Sequence, residues 1–490
     1  MDIGSMLQEV ILLHSQQKFK EAQIVCKKIL SYDPNEPNAN HFFGVLASET
    51  GNLEVAEQYI KKAIKINPDN TSCYVNMGNL VQKKGDIKGS VQWFKNALVC
   101  DDSNKKAYNN LGVTFTKLRR YKEALDVLKQ AIELDDNYYE AHNNIAEVWR
   151  FCNEYDKALK FYDKALSIKP DFVEARWNRA LLFLVQKEFE KGWAEYEYRW
   201  KRASTPQRSI ISGRLWDGKP FVGKTLFVYE EQGLGDTIQF IRYLPLVKKL
   251  GGHVIFEVLT PMIRLLETFE GFDRLWVGIK NVDTRTTDRF DFHIPLLSLP
   301  KIFNTLFETI PSNIPYINAD KNLVKIWEQR IKDKQGFKIG IVWSGHQYHV
   351  NDDNRSICLS AFLPLKSLKG IKLYSLQKEK HEKWTDIDPK SFFNQDLGTQ
   401  ISDFADTAAI IENLDLVISV DTAIVHLAGA MGKQVWTLLP FAPDWRWMLD
   451  TKDSPWYPTM TLFRQTEPCD WDIVVKKVKQ ELVKEVLSIK

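Results

Sequence analysis

Asp236, Arg355, Asp421, Thr422 and His426 are the residues whose types and neighbours could do chemistry, and the densest setting is Val417–Pro440, VISVDTAIVHLAGAMGKQVWTLLP. Two short apolar runs, Leu416–Val420 and Val435–Leu439, read as buried parallel strands. The stretch between them reads as helical, opening on Asp421-Thr422 and closing near Gly432. A strand that ends on such a cap presents free backbone N–H groups at a helix start, a ready site for an anion. Thr422 and His426 are four apart and share one helix face. Ala423, Ala428, Gly429 and Ala430 are small enough to seat this helix tightly on a sheet, with its amino end aimed into a cleft. A lone histidine on a helix is more often structural than functional; the Asp-Thr cap beside His426 reverses that preference.

Two further loops carry candidates. In EEQGLGDTIQF, Gly233 and Gly235 allow close backbone approach to a ligand, and Asp236 stands at the start of the following helix. A dinucleotide fingerprint would need a third glycine where Ile238 stands, which disfavours a NAD enzyme. Two roles are open for Asp236: a helix cap interacting with the macrodipole, or a general base at the mouth of a cleft. In VWSGHQYHVNDDNRSICL, Ser344 and Gly345 follow a strand and Arg355 precedes the next helix, where a fixed guanidinium could clamp phosphate oxygens. Gln377, directly after the candidate strand Lys372–Leu376, joins Ser344, Arg355, Asp421, Thr422 and His426 as a donor-side candidate. The DxD strings Asp386/Asp388 and Asp470/Asp472 lie in polar segments outside these loops and read as chance matches. No metal is expected, because fixed positive charge can serve a leaving anion.

The elements that must position these residues are strands alternating with helices. Thr225–Tyr229, His253–Val258, Leu275–Val277 and Phe290–Ile294 are candidates for a first sheet. Lys338–Val342, Lys372–Leu376, Leu416–Val420, Val435–Leu439 and Thr461–Phe463 are candidates for a second. Such alternation implies parallel sheets covered by helices, with ligands at the carboxyl ends of the strands. Thr205–Lys224, with three glycines and two prolines, has the composition of a linker.

Ahead of it the chain is periodic. Gly44, Gly78, Gly112, Ala146 and Ala180 fall 34 apart, as do Ala22, Ala56, Ser90, Ala124, Ala158 and Gly192. Small residues at that spacing mark the close approach of two helices in a repeated hairpin, and the pattern resembles the tetratricopeptide repeat. Stacked repeats of this kind form a superhelix with a concave groove. A sixth, atypical copy ends in EFEKGWAEYEYRW, whose aromatics are expected to dock on the α/β region. Asn76, Asn110, Asn144 and Asn178 repeat at the same interval. A stack of carboxamides could pair with the backbone of an extended acceptor peptide; equally, asparagine at this position could serve helix packing. The array is similar to that of O-GlcNAc transferase, which holds acceptor polypeptide on such a ladder.

QGLGD followed by DTAIVHLAGAMGKQVW resembles glycosyltransferase family 9, the heptosyltransferase group, over roughly residues 215–490. NDDNRSI and FAPDWRWMLDTKDSPWYPTMTLFRQ are similar to bacterial proteins that fuse tetratricopeptide repeats to this transferase. The resemblance implies an α plus α/β chain: a repeat superhelix over 1–205, then a two-lobed Rossmann-like transferase of the GT-B type. Its acceptor-side lobe would span 206–322 and its nucleotide-sugar lobe 323–490. It also implies inverting transfer, with Asp236 as the acceptor-activating base, Ser344 and Arg355 on the donor phosphates, and Thr422 and His426 at the sugar nucleotide. Heptosyltransferases usually carry glycine where this chain has Ala423, which leaves the donor sugar open. No cofactor is expected beyond the nucleotide-sugar co-substrate.

Composition bounds the rest. The 490 residues carry 66 basic against 63 acidic side chains, a net charge of +3 that speaks against a nucleic-acid partner. No apolar run is long enough for a membrane span, and six scattered cysteines without a CxxC pair fit a reducing cytoplasm. The favoured reading is a protein O-glycosyltransferase, with flagellin or an adhesin as example acceptors. A lipopolysaccharide or glycan transferase and a non-catalytic repeat scaffold are the alternatives.

Overall fold

The computed structural model describes residues 2–202, 213–277, 290–331, 335–349 and 351–488. It divides into two compact units at Asn178/Arg179. The expected domain boundary at 205/206 lies outside the described residues, and the one at 322/323 falls in the first turn of the helix Lys321–Arg330.

The first unit is an array of paired helices. First helices begin at Pro37, Thr71, Lys105 and Tyr139, and second helices at Phe19, Leu53, Ile87, Tyr121 and Tyr155, both every 34 residues. The small residues sit where the two helices of a pair touch. A Cβ on Gly44 would lie 2.6 Å from Ile60 Cγ1 and 3.0 Å from the Ala56 carbonyl, and one on Gly78 2.6 Å from the Phe94 ring. Ala22, Ala56, Ala124 and Ala158 on the facing helices are fully buried.

The second unit contains two wholly parallel sheets. The first is built of β1 (Arg214–Leu215), β2 (Thr225–Tyr229), β3 (His253–Val258), β4 (Arg274–Val277) and β5 (Phe292–Pro295), in the order β1-β5-β2-β3-β4. The second is built of β6 (Phe337–Val342), β7 (Ile371–Ser375), β8 (Gln395–Asp396), β9 (Leu416–Val420), β10 (Val435–Leu439) and β11 (Met460–Arg464), in the order β11-β10-β9-β6-β7-β8. β9 and β10 are buried at every position, as strands covered by helices on both faces must be. One expectation is corrected: the described part of the supposed linker is folded. Arg214–Leu215 pair with β5, and Trp216, 2% exposed, donates its indole N–H to the Lys219 carbonyl at 2.9 Å.

The helix Phe189–Tyr196, second in the atypical sixth repeat, belongs to this second unit. Trp193 donates its indole N–H to Thr305 O at 2.9 Å and meets Trp445 edge-on with ring centres 5.3 Å apart. Phe189 stacks at 6.3 Å on Trp456. The aromatics of the sixth repeat therefore hold segments of both sheets' surroundings.

Gly44→Ala should destabilise the array even though alanine favours helix by about 1 kcal/mol. The added carbon meets backbone as well as side chain, and overpacking costs about 1–3 kcal/mol. Urea unfolding followed by circular dichroism measures this; equal or greater stability would show that the helices separate freely at Gly44.

Candidate active site

Both sheets change strand order at one point. In the first, β2 leads to β3 and β4 on one side while β5 lies on the other; in the second, β6 leads to β7 and β8 while β9 lies on the opposite side. A parallel sheet binds ligands outside the carboxyl ends of its strands at such a switch. Asp236 follows β2, Ser344 and Arg355 follow β6, and Asp421 and Thr422 follow β9. The sequence candidates of the transferase region thus gather at the two switch points, with the exception of Gln377 after β7.

Asp236 lies in the first turn of the helix Leu234–Phe240. Its Oδ2 accepts from the Gly233 N–H at 2.8 Å, so it is a cap. Its Oδ1 pairs with Arg446, which comes from the connection between β10 and β11. Burial pushes the Asp236 carboxyl above its ordinary value, while Arg446 and the Gly233 N–H pull against that rise. Arg446 is 7% exposed; its Nε donates to Gln239 Oε1 at 2.7 Å, its Nη1 to Asp444 at 2.8 Å, and it lies 4.4 Å over the Trp445 ring. Sequence reasoning missed both Arg446 and Gln239. The only signal for Arg446 was its place within FAPDWRWMLDT.

The helix Ala423–Ala430 meets the helix Leu234–Phe240 across the seam. Thr422 caps it, its Oγ1 accepting from the Ile424 N–H at 3.3 Å and lying 3.1 Å from Ser419 Oγ. One expectation is revised by this packing. Gly235 approaches protein rather than open space for a ligand: a Cβ there would lie 2.9 Å from His426 Cδ2 and 3.3 Å from Ala423 Cα. Gly233 by contrast would meet only Asp236 Oδ2, at 3.1 Å. His426 is buried in the same seam, stacked 5.2 Å from Trp447 and sharing a 3.0 Å hydrogen bond between Nδ1 and the Tyr457 hydroxyl. Burial, with Arg446 and Arg242 nearby, pushes its pKa well down, so the ring is neutral at physiological pH.

On the second sheet Arg355 lies over Gly345 and donates from Nη1 to the Asp421 carbonyl at 3.0 Å. It thereby bridges the loops after β6 and β9. Among the described residues the hydroxyl of Ser344, itself 2% exposed, is buried without a hydrogen-bond partner, and Arg355 Nε faces only Asp352 Oδ1, at 3.6 Å. A free hydroxyl and a guanidinium edge at a switch point fit a ligand rich in acceptor oxygens. Gln377 departs from expectation. Its Oε1 accepts from the Trp343 and Ser344 N–H groups at 3.2 and 3.1 Å, and its Nε2 donates to the Ser344 and Glu379 carbonyls at 3.0 and 2.8 Å. It is a strut that fixes the loop bearing Ser344. Asp386 accepts from Ser360, and Asp388 and Asp470 accept from backbone N–H groups at helix starts.

In the first unit the four asparagines are half-buried and joined between repeats. Asn144 donates to Asn109 at 2.8 Å, Asn178 to Asn143 at 3.3 Å and Asn110 to Asn79 at 3.1 Å, while Asn76 is hydrogen-bonded to His41 at 2.8 Å.

Comparison with known proteins agrees with this architecture. The tetratricopeptide repeat model matches residues 37–70, 106–138 and 139–172. The model of glycosyltransferase family 9 (heptosyltransferase) matches residues 391–483, a span that includes Asp421, Thr422, His426 and Arg446. Protein FlbA of Caulobacter vibrioides is 26% identical over 320 residues, which are 60% of this chain and 52% of that protein, so the match spans about half the relative's length. Among solved structures, YrrB, described as a TPR protein with an unusual peptide-binding site, is 21% identical with a TM-score of 0.30, over 37% of this chain and 93% of that one. A thermophilic TPR protein of Thermus thermophilus is 21% identical with a TM-score of 0.34, over 37% of this chain and all of that one. The chain carries tetratricopeptide repeats and a glycosyltransferase family 9 domain.

Asp421 gives a pH test of the geometry. Burial, with Asp444 nearby, pushes its carboxyl up to about 6 against the pull of Arg355. The folded chain then holds this proton more tightly than the unfolded chain, so stability falls as pH rises from about 4 to 6. Asp421→Asn removes that contribution. Its stability advantage over the wild type should therefore grow between pH 4 and pH 7, by no more than about 1.4 kcal/mol per pH unit. Denaturant melts at several pH values read the difference; a constant gap would place the Asp421 carboxyl in water.

Proposed function

We propose that this chain transfers a sugar from a nucleotide-sugar donor to a hydroxyl of an acceptor polypeptide. The observation that carries the reading is the meeting of Asp236, at the switch point of one sheet, with Arg446 from the other. The base proposed for the acceptor is thereby fixed by a residue of the sheet whose loops carry Arg355 and Ser344. In the reaction, Asp236 takes the proton of the acceptor hydroxyl and the freed oxygen attacks the anomeric carbon. The nucleotide leaves from the opposite face, with inversion. Arg355, the Ser344 hydroxyl and the N–H groups at the start of the helix Ala423–Ala430 stabilise the charge on the departing phosphate. Fixed cations supply that stabilisation, so the mechanism invokes no metal and no cofactor beyond the co-substrate.

Asp236→Asn preserves shape and can keep one of the two contacts, to Gly233 or to Arg446, through its single carbonyl oxygen, but it loses basicity. Transfer should slow by about 10²–10⁴-fold, with nucleotide binding by calorimetry and the melting transition retained. Near-normal turnover in a folded variant would leave Asp236 a cap alone.

For the acceptor, the half-buried asparagines offer polar rungs along successive repeats. Each rung also spends an amide hydrogen on a neighbouring repeat, which gives weight to the second reading: packing within the array and a glycan acceptor. Changing Asn110, Asn144 and Asn178 together to Ala separates the two. Each net hydrogen bond lost to a peptide is worth about 0.5–1.5 kcal/mol. The protein-acceptor reading expects modification of a full-length acceptor to drop by one order of magnitude or more on that estimate, while donor hydrolysis persists. A lowered melting temperature with unchanged modification supports the packing role and the glycan acceptor.

A further inference from the structure

A residue of the sixth repeat reaches the switch point of the first sheet. Arg199 is 2% exposed and lies just beyond the helix Phe189–Tyr196. Its Nε and Nη2 each lie 2.8 Å from Glu231, the second residue after β2. The same Nη2 donates to Ser298 Oγ at 2.8 Å, just beyond β5, and Nη1 donates to Glu197 at 2.7 Å. Glu231 in turn accepts from the Leu297 N–H at 3.0 Å. One guanidinium therefore pins the loops after β2 and β5, the two strands between which the order reverses.

The loop after β2 also needs holding. Gln232 has φ +64°, in the left-handed region that costs a non-glycine residue free energy unless its surroundings impose it. Its side-chain amide donates to the Tyr196 hydroxyl at 3.2 Å, again on the sixth repeat. The next residue, Gly233, supplies the N–H that fixes Asp236. From Arg199 to Asp236 the path is thus a bidentate ion pair, one strained residue and one backbone hydrogen bond.

We infer that Arg199 is a positioning residue for Asp236, so that the transferase is complete only with the sixth repeat attached. This rests on the glycosyl-transfer reading for its kinetic consequence, not for its structural one. The test uses the full-length chain and Arg199→Lys, which keeps the charge but cannot make the forked contact, with Glu231→Gln as a second variant. Uridine and guanosine diphosphates serve as binding probes, read by calorimetry. Both variants should bind a diphosphate recognised by the wild type within about twofold, because Ser344 and Arg355 are untouched. Turnover of any donor the wild type cleaves should fall about 10–100-fold, the effect of a misplacement near 1 Å, with kcat lowered and donor KM held. Amide hydrogen exchange over residues 229–240 should rise, with residues 338–345 unchanged. Wild-type turnover with unaltered exchange in 229–240 overturns the inference, as does a loss of stability that weakens diphosphate binding and raises exchange equally in both segments. If no nucleotide sugar is cleaved even by the wild type, the functional reading fails, and the exchange pattern alone still decides whether Arg199 holds the loop.

Discussion

A guanidinium removed from water must have its N–H groups met and its charge balanced, or the structure around it does not hold. Two arginines impose that constraint on the seam between the sheets, in opposite directions. Arg446, from the second sheet, reaches Asp236 and Gln239 of the first region. Arg242, from the first, donates to the Trp456 carbonyl at 2.7 Å and to the Tyr316 hydroxyl at 2.9 Å. Gln239 serves both, its backbone carbonyl accepting from Arg242 and its side-chain oxygen from Arg446, each at 2.7 Å. The small residues between them follow from the same constraint. A Cβ at 235 would meet His426 Cδ2 at 2.9 Å and Ala423 Cα at 3.3 Å, so a larger residue there would press the helix Leu234–Phe240 away from the helix that bears His426.

Much of this arrangement is legible in the sequence, and the reasons are physical. Thr225–Tyr229, His253–Val258, Leu416–Val420 and Val435–Leu439 have the bounds expected of them; for Leu416–Val420 and Val435–Leu439 the reason is that a strand buried on both faces is a near-continuous apolar run with sharp ends. Arg214–Leu215 and Gln395–Asp396 are two-residue edge strands, too short to carry any period, and composition at the first argues for a linker. The catalytic candidates are legible as loops after strands. Their partners are not, since Arg446 stands 210 positions from Asp236 and nothing local to either names the other. Gln377 shows the converse failure: a polar residue at a strand end looks free in sequence, whereas its carboxamide is consumed by backbone groups of the adjacent loop.

The asparagine ladder shows how a true period can conceal its own purpose. The interval of 34 is right, yet two of the hydrogen bonds run to position −35: Asn144 to Asn109 and Asn178 to Asn143. His41 occupies the corresponding place for Asn76. At Asn110 the corresponding residue is Val75, which has no side-chain acceptor, and the amide turns instead to Asn79. The paired asparagines of YNN and HNN hold the signal, one of each pair facing the preceding repeat and the other the following one. A search for one residue type at one period sees half of that chain of contacts.

Asp236 as a cap and Asp236 as a base are compatible roles. A carboxylate has about four lone-pair directions, and the contacts to Gly233 and Arg446 use one on each oxygen. Those contacts lower the proton affinity of the group, while burial raises it and wins, leaving the carboxyl above its ordinary value. With its side chain 18% exposed, Asp236 is fixed in orientation yet still reachable. A freely rotating surface aspartate would be a weaker base and a poorly aimed one; an aspartate buried without Arg446 would lose the charge that opposes the effect of burial. In the proposed reaction the pair therefore sets a compromise between basicity and ionisation, and the backbone N–H of Gly233 sets the direction in which that basicity is offered.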